Sequence, residues 1–218
     1  MKNVAAFAAL AALAAIVVSS EAVAADEFPI DTPPDPYNPP DPYNPEPYFE
    51  TSDDMKLKAF QFMIRSCENH DSRFSDDDRY QMFYGNTKFF NMADHPVLTG
   101  EKKGVPLPDS MCRAAGYSPG CVSTAAGAYQ IIKPTWQRVR KAGLWGPELP
   151  DFSRESQDEA CHRLLLECGA LQSIENDDFA GAVRKASRLW ASLPGSTAGQ
   201  GAVSLATAEG YFNQYLWG

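Results

Sequence analysis

From residue 55 onward, apolar positions recur at helical spacing and are separated by polar, glycine- or proline-marked joints. Met55, Leu57, Phe60, Met63, Ile64 and Cys67 follow one such pattern. The preceding "SDD", residues 52–54, suits a helix start, because acids there face the positive end of the helix dipole. Residues 80–97, "YQMFYGNTKFFNMADHPV", are aromatic-rich around a Gly85–Asn86 turn signal. They predict a short hairpin and then a loop closed by Pro96. Residues 99–121 read mostly as loop. In residues 123–144, Ser123 or Thr124 is a cap candidate for apolar residues at helical spacing, with Pro134 opening a second helical segment or a kink. Residues 151–171 predict a helix capped by Ser153 and stopped at Gly169. Residues 177–195 predict another, ended by Pro194–Gly195, and residues 202–217 a last one. The sum is a mostly helical α+β domain with a small β element near its front.

The first fifty residues follow neither pattern. Lys2 precedes an uncharged apolar run over residues 4–18, which is short for a membrane span. Ala22–Val23–Ala24 is a small-x-small cleavage pattern. The expectation is a signal peptide over residues 1–24, cut after Ala24, and an exported protein, periplasmic or secreted. A retained signal-anchor is the alternative. "PDPYNP" then occurs twice, at residues 34–39 and 40–45, followed by "EPY". Proline this dense favours an extended polyproline-II-like arm over helix or central strand. Residues 25–51 are therefore an acidic Pro/Tyr-rich linker. An inert solvated spacer is favoured over a docking arm with Tyr37, Tyr43 and Tyr48 as contacts for a protein partner. The folded domain is expected over residues 52–218.

Charge sharpens this division. The chain has 218 residues and a formal charge of −9. Nine acids and no base lie between Asp26 and Asp54, whereas residues 55–218 hold 18 bases and 18 acids. The charge belongs to the arm, and no basic patch suggests nucleic acid. In an oxidising compartment the five cysteines are candidates for disulfides. Cys112 and Cys121 bracket a Gly/Pro turn, "RAAGYSPG", and are the best-matched pair. Cys161 and Cys168 lie roughly 10 Å apart along a helix, beyond disulfide reach. One of them is an alternative partner for Cys67, and the odd count leaves at least one thiol free or used between chains. No Cys/His spacing suggests a metal, and no cofactor is expected. Nothing suggests more than a monomer.

One residue carries candidate chemistry. Glu68 ends the first apolar helix, at its negative pole and beside apolar neighbours. Both features disfavour ionisation. A glutamate protonated near neutral pH is what glycosidic cleavage needs as general acid.

Six blocks around such residues resemble the lambda-phage-type endolysins, a family of soluble lytic transglycosylases. They are "AFQFMIRSCENHD" around Glu68; "YGNTKFFNMADHP" at residues 84–96; "STAAGAYQ" at 123–130, followed by Trp136; "LPDFSRESQD" at 149–158; "GAL" at 169–171; and "WASLPGSTAGQ" at 190–200. Their order and spacing are similar to the family's, and together they span nearly all of residues 55–218. The resemblance implies a lysozyme-like α+β fold, two lobes around a central cleft, and the MurNAc–GlcNAc glycan of peptidoglycan as substrate. It implies Glu68 as the catalytic acid and a 1,6-anhydro product made without water. Tyr129 and Gln130 are implied at the cleft wall, the ring stacking on sugar and the amide bonding an N-acetyl group. Ser123, Gln200 and Asp71 are further substrate-binding candidates. Asp71 is either an electrostatic assistant or a loop cap. Asp94 reads as a turn cap, His95 as a structural hydrogen-bonder, and Trp136 and Trp190 as core.

Three departures from the family pattern stand out. Ala198 occupies a position where the family usually has an aromatic. Residues 100–121 form an insertion-like loop expected near the cleft. Cys67 stands where a serine is usual; paired, it would lock the helix end, and free, it would make the site redox-sensitive. The competing readings are a hydrolytic muramidase using Glu68 with a water, and an inactive wall-binding adaptor.

Overall fold

Helix α1 (Ser52–Glu68) begins at Thr51. The Thr51 hydroxyl accepts the Asp54 N–H, and the Asp54 carboxylate accepts the Thr51 N–H, so two otherwise orphaned donors are satisfied. The start expected at residues 52–54 is thus capped one residue earlier. The computed structural model describes residues 51–69, 73–197 and 201–217. The signal peptide and arm, together with Asp71, Ala198 and Gln200, lie outside the described residues.

The apolar stripe of α1 is the centre of the core. Phe60, Met63, Ile64 and Cys67 are buried, and α5 (Arg154–Glu167), α6 (Ala170–Glu175) and α8 (Leu205–Trp217) pack on the helix. Phe60 meets Phe179 of α7 (Phe179–Ala186) and Phe212 of α8 edge-on, with ring centroids 6.1 and 6.4 Å away. Such pairs add to what area burial supplies. Ser153 caps α5 as expected, accepting the Ser156 N–H. Gly169 ends that helix in the left-handed region, at φ 74°, where glycine has no Cβ penalty, and α6 starts directly after it. Helix α7 stops at Ala186, well before the expected Pro194–Gly195. The backbone turns at residues 187–190 and carries 189–191 to the cleft described below.

The β structure is small. Strands β1 (Met82–Phe83) and β2 (Thr87–Lys88) form the expected hairpin, with Met82 opposite Lys88. Gly85 and Asn86 both take positive φ, the residue types this turn requires. A second pair joins β3 (Val105–Pro106) to β4 (Val122–Ser123). The segment expected to be loop therefore contains β3 and a short helix, α3 (Asp109–Ala114), tied back by a Cys112–Cys121 disulfide with Cα atoms 5.8 Å apart.

After Ser123 the chain is not helical, contrary to expectation. Ala126 and Ile131 exchange backbone hydrogen bonds around a turn in which Gly127 and Gln130 have φ of 77° and 46°. Those values interrupt a right-handed helix. A helix follows only at α4 (Lys133–Val139), with Pro134 in its first turn. Thr124 still acts as a cap from a distance, its hydroxyl accepting the Lys133 N–H. A short four-residue helix, α2 (Asp76–Arg79), completes the set among the described residues.

A second aromatic cluster holds this lobe. Phe152 is fully buried, with Trp136, His95 and Phe89 ring centroids at 4.7, 5.2 and 5.8 Å. Truncating Phe152 removes the common neighbour of all three rings. Phe152→Ala is expected to lower unfolding free energy by about 3–5 kcal/mol in urea titration. A loss under about 1 kcal/mol would show that the cluster does not depend on this ring.

Candidate active site

A cavity of about 290 Å³ opens where four segments meet. The end of α1 brings Glu68 and Asn69, the β1–β2 hairpin brings Phe83 to Asn86, and the 123–132 segment brings Ser123, Gln130 and Ile132. Trp190 and Ala191 come from the turn after α7. Glu68 is half-buried. Its Oε1 accepts a 2.6 Å hydrogen bond from the Ser192 hydroxyl and a longer one, 3.4 Å, from the Ser192 N–H. Burial drives the Glu68 carboxyl above the ordinary carboxylate range, and the two Ser192 bonds oppose that rise without cancelling it. The proton affinity expected from the helix-end position is therefore present, with desolvation as its largest cause. Among the described residues lining the cavity, Glu68 is the one carboxylate.

Ser192 was not legible in the sequence. It lies 124 residues from Glu68, and nothing local in "WASLPG" says which residue of that block turns inward. The Pro194–Gly195 signal marked a helix end, but α7 stops at Ala186, so the signal did not show that the residues before it form a loop. Its backbone is fixed, since the Val203 N–H donates to the Ser192 carbonyl.

The other expected residues fall into three groups. Ser123 and Gln130 line the cavity with Glu68. The Ser123 hydroxyl accepts the Ala125 N–H. The Gln130 amide donates to Gly127 O at 3.0 Å and to Asn69 Oδ1 at 3.4 Å, and Asn69 donates to Ala128 O. Tyr129 points the other way: its ring is 1% exposed and its hydroxyl donates to Asp158 at 2.5 Å. A ring so enclosed has no face for a sugar, so the expected stacking role is corrected to a structural one. Asp71 and Gln200 lie outside the described residues.

The supporting residues are also fixed. Gln157 is fully buried, donating to Tyr80 O and Phe152 O and accepting the Ala128 N–H. It lies so close to Gly127 that an added Cβ would stand 2.1 Å from its Oε1, which, with the positive φ, requires glycine there. Asp94 accepts the Trp136 indole at 2.7 Å and Arg140 at 2.6 Å besides its own turn contact, so it is more than a turn cap. His95 is buried with Nε2 at 3.1 Å from Ile131 O, and burial lowers its pKa, as fits a structural imidazole. Trp136 and Trp190 are core, the latter donating to Tyr129 O.

Cys67, Cys161 and Cys168 are free thiols, so the alternative pairing with Cys67 is not made. The Cys67 thiol is 1% exposed and pushed up to about 12 by burial and by neighbouring Glu68. Redox chemistry needs an accessible thiolate, and neither condition holds here.

The Ser192 bonds favour the ionised form of Glu68, so their loss must raise its pKa further. Carbon-13 titration of the Glu68 carboxyl is expected to move upward in Ser192→Ala. An unchanged or lower midpoint would mean that the hydroxyl does not bond the carboxylate in solution.

A family model described as endolysin matches residues 58–216. The endolysin of Escherichia phage lambda is 33% identical over 145 residues, covering 66% of this chain and 80% of that protein. The endolysin of Escherichia phage P2 is 35% identical over 112 residues, covering 51% and 59%. A structure of bacteriophage lambda lysozyme complexed with a chitohexasaccharide superimposes with a TM-score of 0.60 at 30% identity, covering 77% of this chain and 97% of that one. A second structure of lysozyme from bacteriophage lambda gives 0.56 at 28% identity, covering 78% and 96%. The fold is accordingly α+β and lysozyme-like, and the match extends from α1 almost to the end of α8. With a family model spanning most of the chain and a phage relative matched over four-fifths of its own length, the chain belongs to the endolysin family.

Proposed function

We propose that the protein cleaves the MurNAc–GlcNAc β-1,4 bond of peptidoglycan as a lytic transglycosylase, with Glu68 as both acid and base. The observation that carries this reading is a single carboxylate in the described cleft lining, half-buried, with raised proton affinity and a fixed orientation on Ser192. Family membership supports the substrate class, and the glycan named with the lambda lysozyme structure supports a sugar-binding cleft.

The chemistry follows from one carboxyl group. Protonated Glu68 gives its proton to the glycosidic oxygen as the bond to C1 breaks. The MurNAc O6 then attacks C1, and the Glu68 carboxylate takes the O6 proton, which returns the acid to its starting state. No water is consumed, and the product is a 1,6-anhydro sugar. An internal nucleophile is already positioned by its own ring, so no second protein group has to hold a water. A hydrolytic glycosidase needs that second group at a defined separation. Gln130 and Ser123, which share the cleft with Glu68, are proposed as substrate contacts.

The rest of the chain fits export to the wall. Residues 1–24 are proposed as a cleaved signal, residues 25–51 as a spacer, and residues 52–218 as the enzyme. No helix among the described residues is long and apolar enough to cross a membrane.

Digestion of purified sacculi, with mass analysis of the released muropeptides, tests the reading. Products one water lighter than hydrolysis products are expected. Glu68→Gln is expected to lower the rate about 10³-fold while leaving the fold intact by circular dichroism. Reducing-end products would establish a hydrolase instead. Activity should also fall as pH rises through the Glu68 pKa, because the acid must begin protonated, and that fall should lie above the ordinary carboxylate range.

A further inference from the structure

Tyr129 is enclosed, yet the Glu68 cavity has aromatic residues of its own. Among the described residues, Phe83, Tyr84 and Trp190 line it. Phe83 and Trp190 are 2% and 4% exposed and belong to the core, so neither ring has a face free for a ligand. Tyr84 is half-buried and stands outside the core cluster. It is the one aromatic ring of the described lining that a ligand in the cleft can pack against.

The backbone at this position is held from two sides. The Tyr84 N–H donates to Ala125 O at 3.0 Å, and Phe83 pairs with Ala126 beside it, so the end of β1 is bonded to the 123–130 wall of the cleft. Gly85 and Asn86 then reverse the chain at φ of 82° and 58°, and β2 pairs back onto β1. A tyrosine has only two side-chain torsions to freeze, so a ligand that packs on this ring loses little to ordering.

The surrounding chemistry selects the ligand. The Tyr84 hydroxyl and the Asn86 side-chain amide have no hydrogen-bond partner among the described residues, so both keep their full capacity for a ligand. The hairpin tip thus offers an aromatic face together with a hydroxyl and an amide. Apart from Glu68, the described lining carries no carboxylate and no cationic side chain, so nothing in it favours an ionic ligand. A pyranose ring has the matching surface. Its C–H bonds form an apolar face that suits the electron-rich face of an aromatic ring, and its rim of hydroxyls pairs with neutral polar groups.

We infer that Tyr84 is a sugar-binding residue, its ring packed against one pyranose of the glycan strand held in the Glu68 cleft. The identity of that sugar rests on the glycan-cleaving reading above, to which Tyr84 adds the aromatic contact that Tyr129 cannot supply. Tyr84 binds substrate and takes no part in proton transfer.

The test uses the full chain carrying Glu68→Gln, so that the ligand is bound and not cut, and an uncharged β-1,4-linked hexamer of GlcNAc as probe. Calorimetric titration compares the native Tyr84 with Tyr84→Phe, which keeps the ring, and Tyr84→Leu, which keeps apolar bulk without it. The Phe variant is expected to bind within about threefold of the native ring, and the Leu variant about tenfold more weakly. A second measurement needs no change at Tyr84. With the hexamer bound, nuclear Overhauser contacts are expected between the Tyr84 ring protons and pyranose C–H protons, a signature that a purely structural tyrosine would not give. These contacts decide the matter if the Leu variant loses its fold by circular dichroism. Binding by the Leu variant as tight as by the Phe variant, absence of the contacts, or failure of the hexamer to bind would each overturn the inference. Sacculus digestion without products would count against the glycan-cleaving reading, and the titration and the contacts would still judge Tyr84.

Discussion

The desolvation of a single carboxyl group at the end of the central helix is the constraint on which this structure turns. Charge at Glu68 is disfavoured because α1 ends half-buried, at the wall of the cleft. The helix reaches that point because its apolar stripe is buried against α5, α6 and α8, so the core that stabilises the fold also carries the acid to its place. Stability and chemistry share one element. Any change that hydrates the end of α1 would weaken the desolvation that raises the Glu68 pKa.

The remaining cleft residues are positioned by buried hydrogen bonds and not by local helix or strand. Gln157 of α5 joins Tyr80 O just before the hairpin, the Ala128 N–H of the 127–130 turn and Phe152 O just before its own helix. Gln130 holds a left-handed φ that costs of order 1–3 kcal/mol, and its amide is bonded within the same turn. That strain persists because Gly127, Gln157 and the Ala126–Ile131 bridge determine the turn from several sides. A segment with helical apolar spacing is thereby held as an irregular wall. This is why periodicity alone misread residues 123–132.

What the sequence made legible follows the range of the forces involved. Caps, turns and stop signals act over three or four residues, and they located α1, α5, the Gly85–Asn86 hairpin and the Gly169 break to within a residue or so. The Cys112–Cys121 pair was legible for the same reason, the two lying only nine positions apart. Glu68 was legible as a helix-end carboxylate. Contacts made across the chain were not. Ser192 reaches Glu68 over 124 residues, and the burial of Tyr129 depends on Asp158 and Tyr80. A Tyr–Gln pair in a motif carries no local mark showing which of the two faces the cleft.

Charge placement explains how an acid with raised proton affinity survives near two arginines, Arg65 and Arg79. Arg65 lies one turn before Glu68, and Arg79 lies close to the same helix through its bond to Ser66. A guanidinium aimed at Glu68 would favour the carboxylate and lower its pKa. Both are instead turned onto Asp76, and Arg65 also lies over the Phe62 ring. Asp76 is held below the ordinary range as a result, although burial alone would raise it. The cations are thus neutralised at Asp76, and Glu68 is the one ionisable carboxyl in the described lining of the cleft. Burial raises the Glu68 pKa, and with both guanidiniums turned onto Asp76 no cation opposes that rise.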